Sequence, residues 1–127
     1  MTRNSILVVD DNYAMARAVT FLFKKAGYDC SIAGDGLEAL ASIETKIPDL
    51  VVLDLQMPRM DGLETCRRIR ERPDCEDLYV IVVTALGDDE DIRRAHEAGA
   101  NECLLKPLNP PELLTLAEEM LRPVNPV

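Results

Sequence analysis

A chain of 127 residues with 47% apolar and 29% charged residues has enough material for one globular core, and a single domain over 1–127 is expected, with its core at about 5–121. Its formal net charge of -9 opposes direct contact with nucleic acid or anionic lipid, and five aromatics without a tryptophan make a poor base-stacking platform. No apolar run is long enough to span a bilayer, and the run after Met-Thr-Arg-Asn-Ser ends in two aspartates, unlike a signal peptide, so a cytoplasmic protein without membrane contact is expected.

Along the chain, strand-like and helix-like segments alternate five times. Ile6 to Val9 is continuously apolar, as in a strand buried on both faces. Met15, Ala18, Val19, Leu22, Phe23 and Ala26 then recur at helical spacing, and Gly27 stops that helix. Tyr28 to Ala33 reads as a second strand, Gly34-Asp35-Gly36 as a turn and Leu37 to Lys46 as a second helix. A third strand, Leu50 to Leu53, runs into Asp54, and Asp61 is placed to cap a third helix over about 62–71. Leu78 to Val83 forms a fourth strand ending at Thr84, and a fourth helix over about 89–98 carries only Ile92 and Ala95 as a thin apolar stripe before Gly99 ends it. Glu102 to Leu105 is a short fifth strand running into Lys106-Pro107. Pro110-Pro111 opens the last helix, with Leu113, Leu116, Ala117, Met120 and Leu121 on its apolar face. Residues 122–127 read as a tail or the start of a linker. This alternation predicts right-handed crossovers and a parallel sheet covered by helices on both faces.

The chemistry gathers at the strand ends. The first run ends in Asp10-Asp11, the third in Asp54, the fourth in Thr84 and the fifth in Lys106. In an open parallel sheet, ligands bind outside the carboxyl ends of the strands at the switch in strand order. In the order 2-1-3-4-5, one of the common ones for this pattern, the first and third strands are neighbours and Asp10, Asp11 and Asp54 converge. Three carboxylates so close need a counter-charge. Oxygen donors of this kind suit Mg²⁺, while Lys106 adds a cation and Thr84 a hydroxyl donor. Such a set suits transfer of a phosphoryl group to an acid, with Asp54 attacking in line and its neighbours neutralising the equatorial oxygens.

Over about Ser5 to Leu121 the chain resembles the receiver domains of two-component response regulators. The resemblance lies in Val8-Val9-Asp10-Asp11-Asn12, in Asp54 within Val52-Leu53-Asp54-Leu55-Gln56-Met57-Pro58-Arg59-Met60-Asp61-Gly62, in Thr84-Ala85, and in Gly99-Ala100 leading to Lys106-Pro107. It implies a (βα)5 doubly wound, flavodoxin-like three-layer sandwich with sheet order 2-1-3-4-5. It also implies that Asp54 is the phosphoacceptor, that Asp11 binds Mg²⁺ directly and Asp10 mainly through water, and that the Gln56 backbone carbonyl completes the protein ligands. Thr84 and Lys106 would hold the phosphoryl group, and the bond before Pro107 would be cis. The implied donor is a histidine kinase or histidine phosphotransfer protein. The implied reader is a downstream effector or a covalently linked output domain.

The chain departs from the family pattern in two places. Cys103 stands where these domains commonly carry Tyr or Phe three residues before the lysine, which puts the usual coupling of that aromatic to Thr84 in doubt, and Leu108 stands where Phe often follows Lys-Pro. Leu86, two residues past Thr84, is a candidate shield over the acyl phosphate, and the weakly apolar fourth helix is a candidate switch element. Simpler roles are expected elsewhere: Cys30, Cys66, Cys75 and Cys103 as reduced, partly buried thiols, His96 as a solvated side chain, and Asp88 to Asp91 as the first turn of the fourth helix. The chain is therefore expected to be a signalling switch whose only chemistry is self-catalysed phosphotransfer and autodephosphorylation. Two alternatives are an interaction module that keeps the fold without phosphorylation, and an Asp-based, Mg²⁺-dependent phosphatase. The latter needs Asp-x-Asp at the nucleophile, where this chain has Asp54-Leu55-Gln56. A dinucleotide site is disfavoured because no G-x-G-x-x-G follows the first strand.

Overall fold

The computed structural model describes residues 4–57, 60–85 and 89–121. Five strands, β1 (Ser5–Val9), β2 (Asp29–Ala33), β3 (Leu50–Asp54), β4 (Tyr79–Thr84) and β5 (Glu102–Leu105), alternate with α1 (Tyr13–Lys25), α2 (Gly36–Thr45), α3 (Gly62–Arg70), α4 (Asp89–Glu97) and α5 (Pro110–Leu121). All strand pairings are parallel and the order is β2-β1-β3-β4-β5, as expected from the resemblance.

Each central strand is apolar along its length because both its faces are covered. Side chains alternate between the two faces, so each run divides into two sets. Leu7, Val9, Val51, Leu53, Val80 and Val82 pack with Ala39 and Ile43 of α2, Cys66 and Ile69 of α3, and Ala95 of α4. Ile6, Val8, Leu50, Val52, Ile81 and Val83 pack with Ala16, Val19 and Phe23 of α1 and Leu113 and Ala117 of α5. Each such Val, Leu or Ile, once buried, contributes about 1.5–3 kcal/mol. The sheet is thus the middle of three layers, held hardest at β1, β3 and β4, whose carboxyl ends carry the acids.

Helix starts follow their capping residues. Asn12, Asp35 and Asp61 each accept a backbone N–H of the first turn, from Met15, Glu38 and Glu64, at 2.9–3.1 Å. Gly27 and Gly99, with φ of 101° and 110°, follow α1 and α4 in the left-handed conformation that glycine takes at least cost. The buried stripe of α1 is rotated from the expected one: Ala16 and Thr20 are inside, whereas Ala18 and Ala26 are exposed and Met15 and Leu22 half-buried. Alanine is too small to fix the phase of a stripe, and Thr20 goes inside because its hydroxyl accepts the Cys30 thiol at 3.6 Å. Tyr28 lies just before β2 and meets the Phe23 ring edge-on at 6.0 Å. A one-turn 3₁₀ helix, Pro73–Cys75, adds to the elements expected from the sequence.

The four cysteines are free, and burial raises the pKa of each thiol. The His96 ring is exposed, as expected, although its Nδ1 lies 3.1 Å from the Ala100 carbonyl, which it meets as a donor in the Nδ1–H tautomer. Asp89, Glu90 and Asp91 form the first turn of α4. Asp88, Leu86 and residues 122–127 lie outside the described residues, and with them the expected shield and tail. No helix among the described residues is long and apolar enough to cross a membrane.

Candidate phosphoacceptor site

Parallel pairing sets the depth at which each functional side chain emerges. Val9 is in register with Leu53 and Asp54 with Val83, so the residues following β1 and the last residue of β3 reach the same rim of the sheet. Asp10, Asp11 and Asp54 each bring a carboxylate oxygen there, and the three oxygens lie within 4.8 Å of one another. Asp54 is only 3% exposed, whereas Asp11 is open to solvent and Asp10 is intermediate.

Both oxygens of Asp54 are engaged. Its Oδ2 accepts from Lys106 Nζ at 3.0 Å, across 52 residues of sequence, and its Oδ1 accepts the Gln56 backbone N–H at 3.0 Å. Lys106 reaches in from the end of β5, where the Lys106–Pro107 peptide is cis, as the resemblance implies. Asp10 is steadied by the Asn12 N–H, which donates to its Oδ1 at 2.8 Å. Burial raises the Asp10 pKa from 3.8 to about 6; the nearby Asp54 charge adds to the rise, and the Asn12 N–H opposes it. Among the described residues the donors at this rim are oxygens, with Lys106 beside them. Such a set suits a hard divalent cation rather than zinc, which favours sulfur and nitrogen. Asp10, Asp11 and Asp54 are the groups that could hold it, and Gln56, whose backbone carbonyl the resemblance adds to the set, lines the same recess.

Beside these acids, near the start of α1, lies a recess of about 410 Å³. Its lining combines polar Asp10, Asp11, Asn12, Asp54, Gln56 and Lys106 with apolar Val8, Val52, Val83, Met15 and Leu108. Thr84 is not among the lining residues. It is 1% exposed and follows Val83, and alternation turns it to the α2–α4 side with Val82. Asp10, Asp54 and Lys106 continue the other set of side chains, on the α1–α5 side. The expected residues therefore come together at one edge but on two faces of the sheet. Asn12 and Gly62 carry structural duties at the site that motif reading does not assign. An asparagine just before a helical stripe is a capping signal, so Asn12 is within reach of sequence alone.

A doubly wound parallel sheet with acids and a lysine gathered at its carboxyl rim is the architecture of a signalling receiver. The model of the response regulator receiver domain matches residues 6–118, and the chain belongs to that family. It is 36% identical over 120 residues to the DNA-binding response regulator MtrA of Mycolicibacterium paratuberculosis, covering 94% of this chain and 52% of that protein. It is 34% identical over 121 residues to the phosphate regulon transcriptional regulatory protein PhoB of Rhizobium meliloti, covering 95% and 53%. The chain thus spans about half the length of the curated relatives it matches. Among solved structures, the chemotaxis response regulator CheY4 of Vibrio cholerae superimposes with a TM-score of 0.89 at 30% identity, covering 94% of this chain and all of that one.

Proposed function

We propose that this chain accepts a phosphoryl group on Asp54 from a histidine kinase or histidine phosphotransfer protein, in a Mg²⁺-dependent reaction, and so switches a partner-binding face. The observation that carries the reading is the buried Asp54 carboxylate, bonded to Lys106 at 3.0 Å and clustered with Asp10 and Asp11. A carboxylate is a weak nucleophile toward phosphorus, and the incoming group is itself anionic. Close cations and aimed donors are what make the transfer feasible. In the transfer an Asp54 oxygen bonds to phosphorus as the phosphorus–nitrogen bond of the donor imidazole breaks, and the ring leaves as neutral imidazole, its one N–H either already on the other nitrogen or taken from solvent. Bound Mg²⁺ would supply charge neutralisation between the acids and the phosphoryl oxygens. Lys106 passes from Asp54 to a phosphoryl oxygen, and Thr84 is the hydroxyl donor that turns toward the group from the other face. Water later hydrolyses the acyl phosphate and restores Asp54. The chain acts on itself and on its phosphodonor and turns over no separate substrate.

The name of MtrA speaks of DNA binding by that protein, about half of which corresponds to this chain. For this chain the acidic balance, with a net charge of -9, favours protein partners over direct nucleic-acid or membrane contact, and a cytoplasmic setting. The reader of the switch is then a downstream effector or an attached output domain. Acetyl phosphate and Mg²⁺, followed by intact mass, test the reading. Mass equal to one phosphoryl group should appear on the parent and be absent from Asp54→Asn. A parent that gains nothing, or an Asp54→Asn variant that gains as much, refutes it.

A further inference from the structure

We infer that Gly62 is a positioning residue for the phosphoacceptor: its lack of a side chain lets α3 start against the backbone of Asp54 and Leu55, which keeps the Gln56 peptide where it meets Asp54. The inference rests on the phosphotransfer reading above. Gly62 opens α3, and its N–H donates to the Leu55 carbonyl at 3.1 Å. Unlike Gly27 and Gly99 it has no positive φ, so the demand here is for space and not for an unusual backbone. A Cβ on Gly62 would lie 2.5 Å from the Asp54 carbonyl oxygen and 2.6 Å from Leu55 Cα. Both are backbone atoms, of the phosphoacceptor and of the residue after it, and cannot swing aside as a flexible side chain would.

Something must then move, and the surroundings decide what. Asp54 is the last residue of β3, paired with Val83, and the Leu55 N–H donates to the Val83 carbonyl at 3.0 Å. The body of α3 is anchored by fully buried Cys66 and Ile69. Between those two anchors the added Cβ presses on Leu55, and Gln56 follows Leu55 directly. The Gln56 N–H holds one oxygen of Asp54 while Lys106 holds the other, so the carboxylate is fixed from two sides. Displacing the Gln56 peptide releases one of those restraints and moves the Gln56 carbonyl, the metal ligand that the family resemblance implies. A misplacement of about 1 Å at a reacting group can cost about a hundredfold in rate.

A purely structural glycine would lower stability and leave the chemistry of the folded protein alone, so the test compares Gly62→Ala with Ile43→Val. Ile43 is a fully buried α2 residue remote from the acids, and its truncation supplies destabilisation without touching the rim. Two quantities are read on folded protein: Mg²⁺ affinity, from the shift of the Gln56 amide resonance, and the initial rate of phosphorylation by acetyl phosphate at saturating Mg²⁺. Gly62→Ala should weaken Mg²⁺ binding and slow phosphorylation by about tenfold or more, whereas Ile43→Val should keep both within about twofold of the parent. If Gly62→Ala loses thermal stability but keeps both quantities within that margin, the inference is overturned. Should the variant not fold in buffer, the comparison is repeated in trimethylamine N-oxide, which favours the compact state. A chain still unfolded there also overturns the inference, since the glycine is then a requirement of folding. A parent that is never phosphorylated defeats the phosphotransfer reading and this inference with it. A parent phosphorylated no faster than Gly62→Ala defeats this inference alone.

Discussion

Replacing Asp10 with asparagine should stabilise the metal-free protein, because the rim crowds three acids around one lysine. Burial first, then the Asp54 charge, lifts the Asp10 pKa from 3.8 to about 6 against the pull of the Asn12 N–H. A folded-state pKa above the unfolded one means that the folded chain binds the proton more tightly. The associated stability is whole below about pH 4 and is lost as pH rises through 6. A rise from 3.8 to about 6 corresponds to about 3 kcal/mol if felt in full. Asp10 is only partly buried, and solvent screening takes about half of that, leaving about 1–2 kcal/mol. The amide of the variant would keep an oxygen for the Asn12 N–H, now 2.8 Å from Oδ1, and would shed the charge. In urea titrations with EDTA, Asp10→Asn should therefore gain about 1–2 kcal/mol over the parent at pH 7.5, or roughly 5 °C in melting temperature. At pH 5 the gain should be smaller, since there much of the Asp10 in the folded parent is already protonated. Mg²⁺ reverses the ranking. A parent that binds it gains about 2.7 kcal/mol at a hundredfold excess over Kd, and the variant gains less. Destabilisation by Asp10→Asn at pH 7.5 without metal, or a gain equal at both pH values, would refute the reasoning.

Two further predictions concern the opposite edge of the sheet. Arg70 donates to the carbonyls of Gly99, Cys75 and Leu78 and to Asn101 Oδ1, at 2.7–3.0 Å, which ties the end of α3 to the turns flanking β4 and β5. Arg70→Met should cost about 2–4 kcal/mol in urea unfolding, because charged donors leave and water replaces only part of them; amide exchange at Ala100 and Asn101 should quicken with it. Alanine at Gly27 meets nothing within 4 Å and should cost only the left-handed backbone penalty, about 1–2 kcal/mol. At Gly99 the added Cβ would also come within 2.4 Å of Arg70 Cγ, on a side chain pinned at its far end, so Gly99→Ala should cost about 1–2 kcal/mol more. Equal losses in paired melts would show that the Arg70 stem yields freely.

What can be read from the sequence follows from how strongly each residue constrains its neighbours. The runs ending at Val9, Leu53 and Val83 are apolar at every position because both their faces are buried, and few arrangements besides a covered parallel sheet produce that pattern. The edge strand β2 buries only Ala33 fully, so its apolar pattern is weak and starts it one residue early, at Tyr28. Pro73–Cys75 has no periodicity to betray a helical turn. Arg70 is indistinguishable from Arg67, Arg68 and Arg72 as a letter; only the fold shows that it points inward while Arg67 and Arg68 stay exposed. The acids are legible as strand-end residues, but that Asp54 and Lys106 meet depends on strand order, and that comes from resemblance to a family. Gly62 is legible as part of a motif, not as a matter of space, because the atoms that would collide with a side chain lie seven and eight residues back along the chain.

The pleat of the sheet also limits how a change at Asp54 could travel. Asp54 and Lys106 face α1 and α5, whereas Thr84 and Cys103 face the layer that contains Ala95 of α4. A hydroxyl drawn toward a phosphoryl group at the rim moves out of the α4 layer, and the space it leaves borders α4. In many receivers an aromatic at the Cys103 position would follow it in. A cysteine has too little volume to do so, and here it is half-buried against the apolar cluster of that layer. What remains to respond is α4 itself, which rests on the core through one small residue, Ala95, while its C-terminal turn is held by Arg70 and by the Cys66 thiol on the Ala98 carbonyl. In the proposed switch the moving part is therefore the end of α4 nearest Thr84, turning about an end that the Arg70 bonds keep fixed.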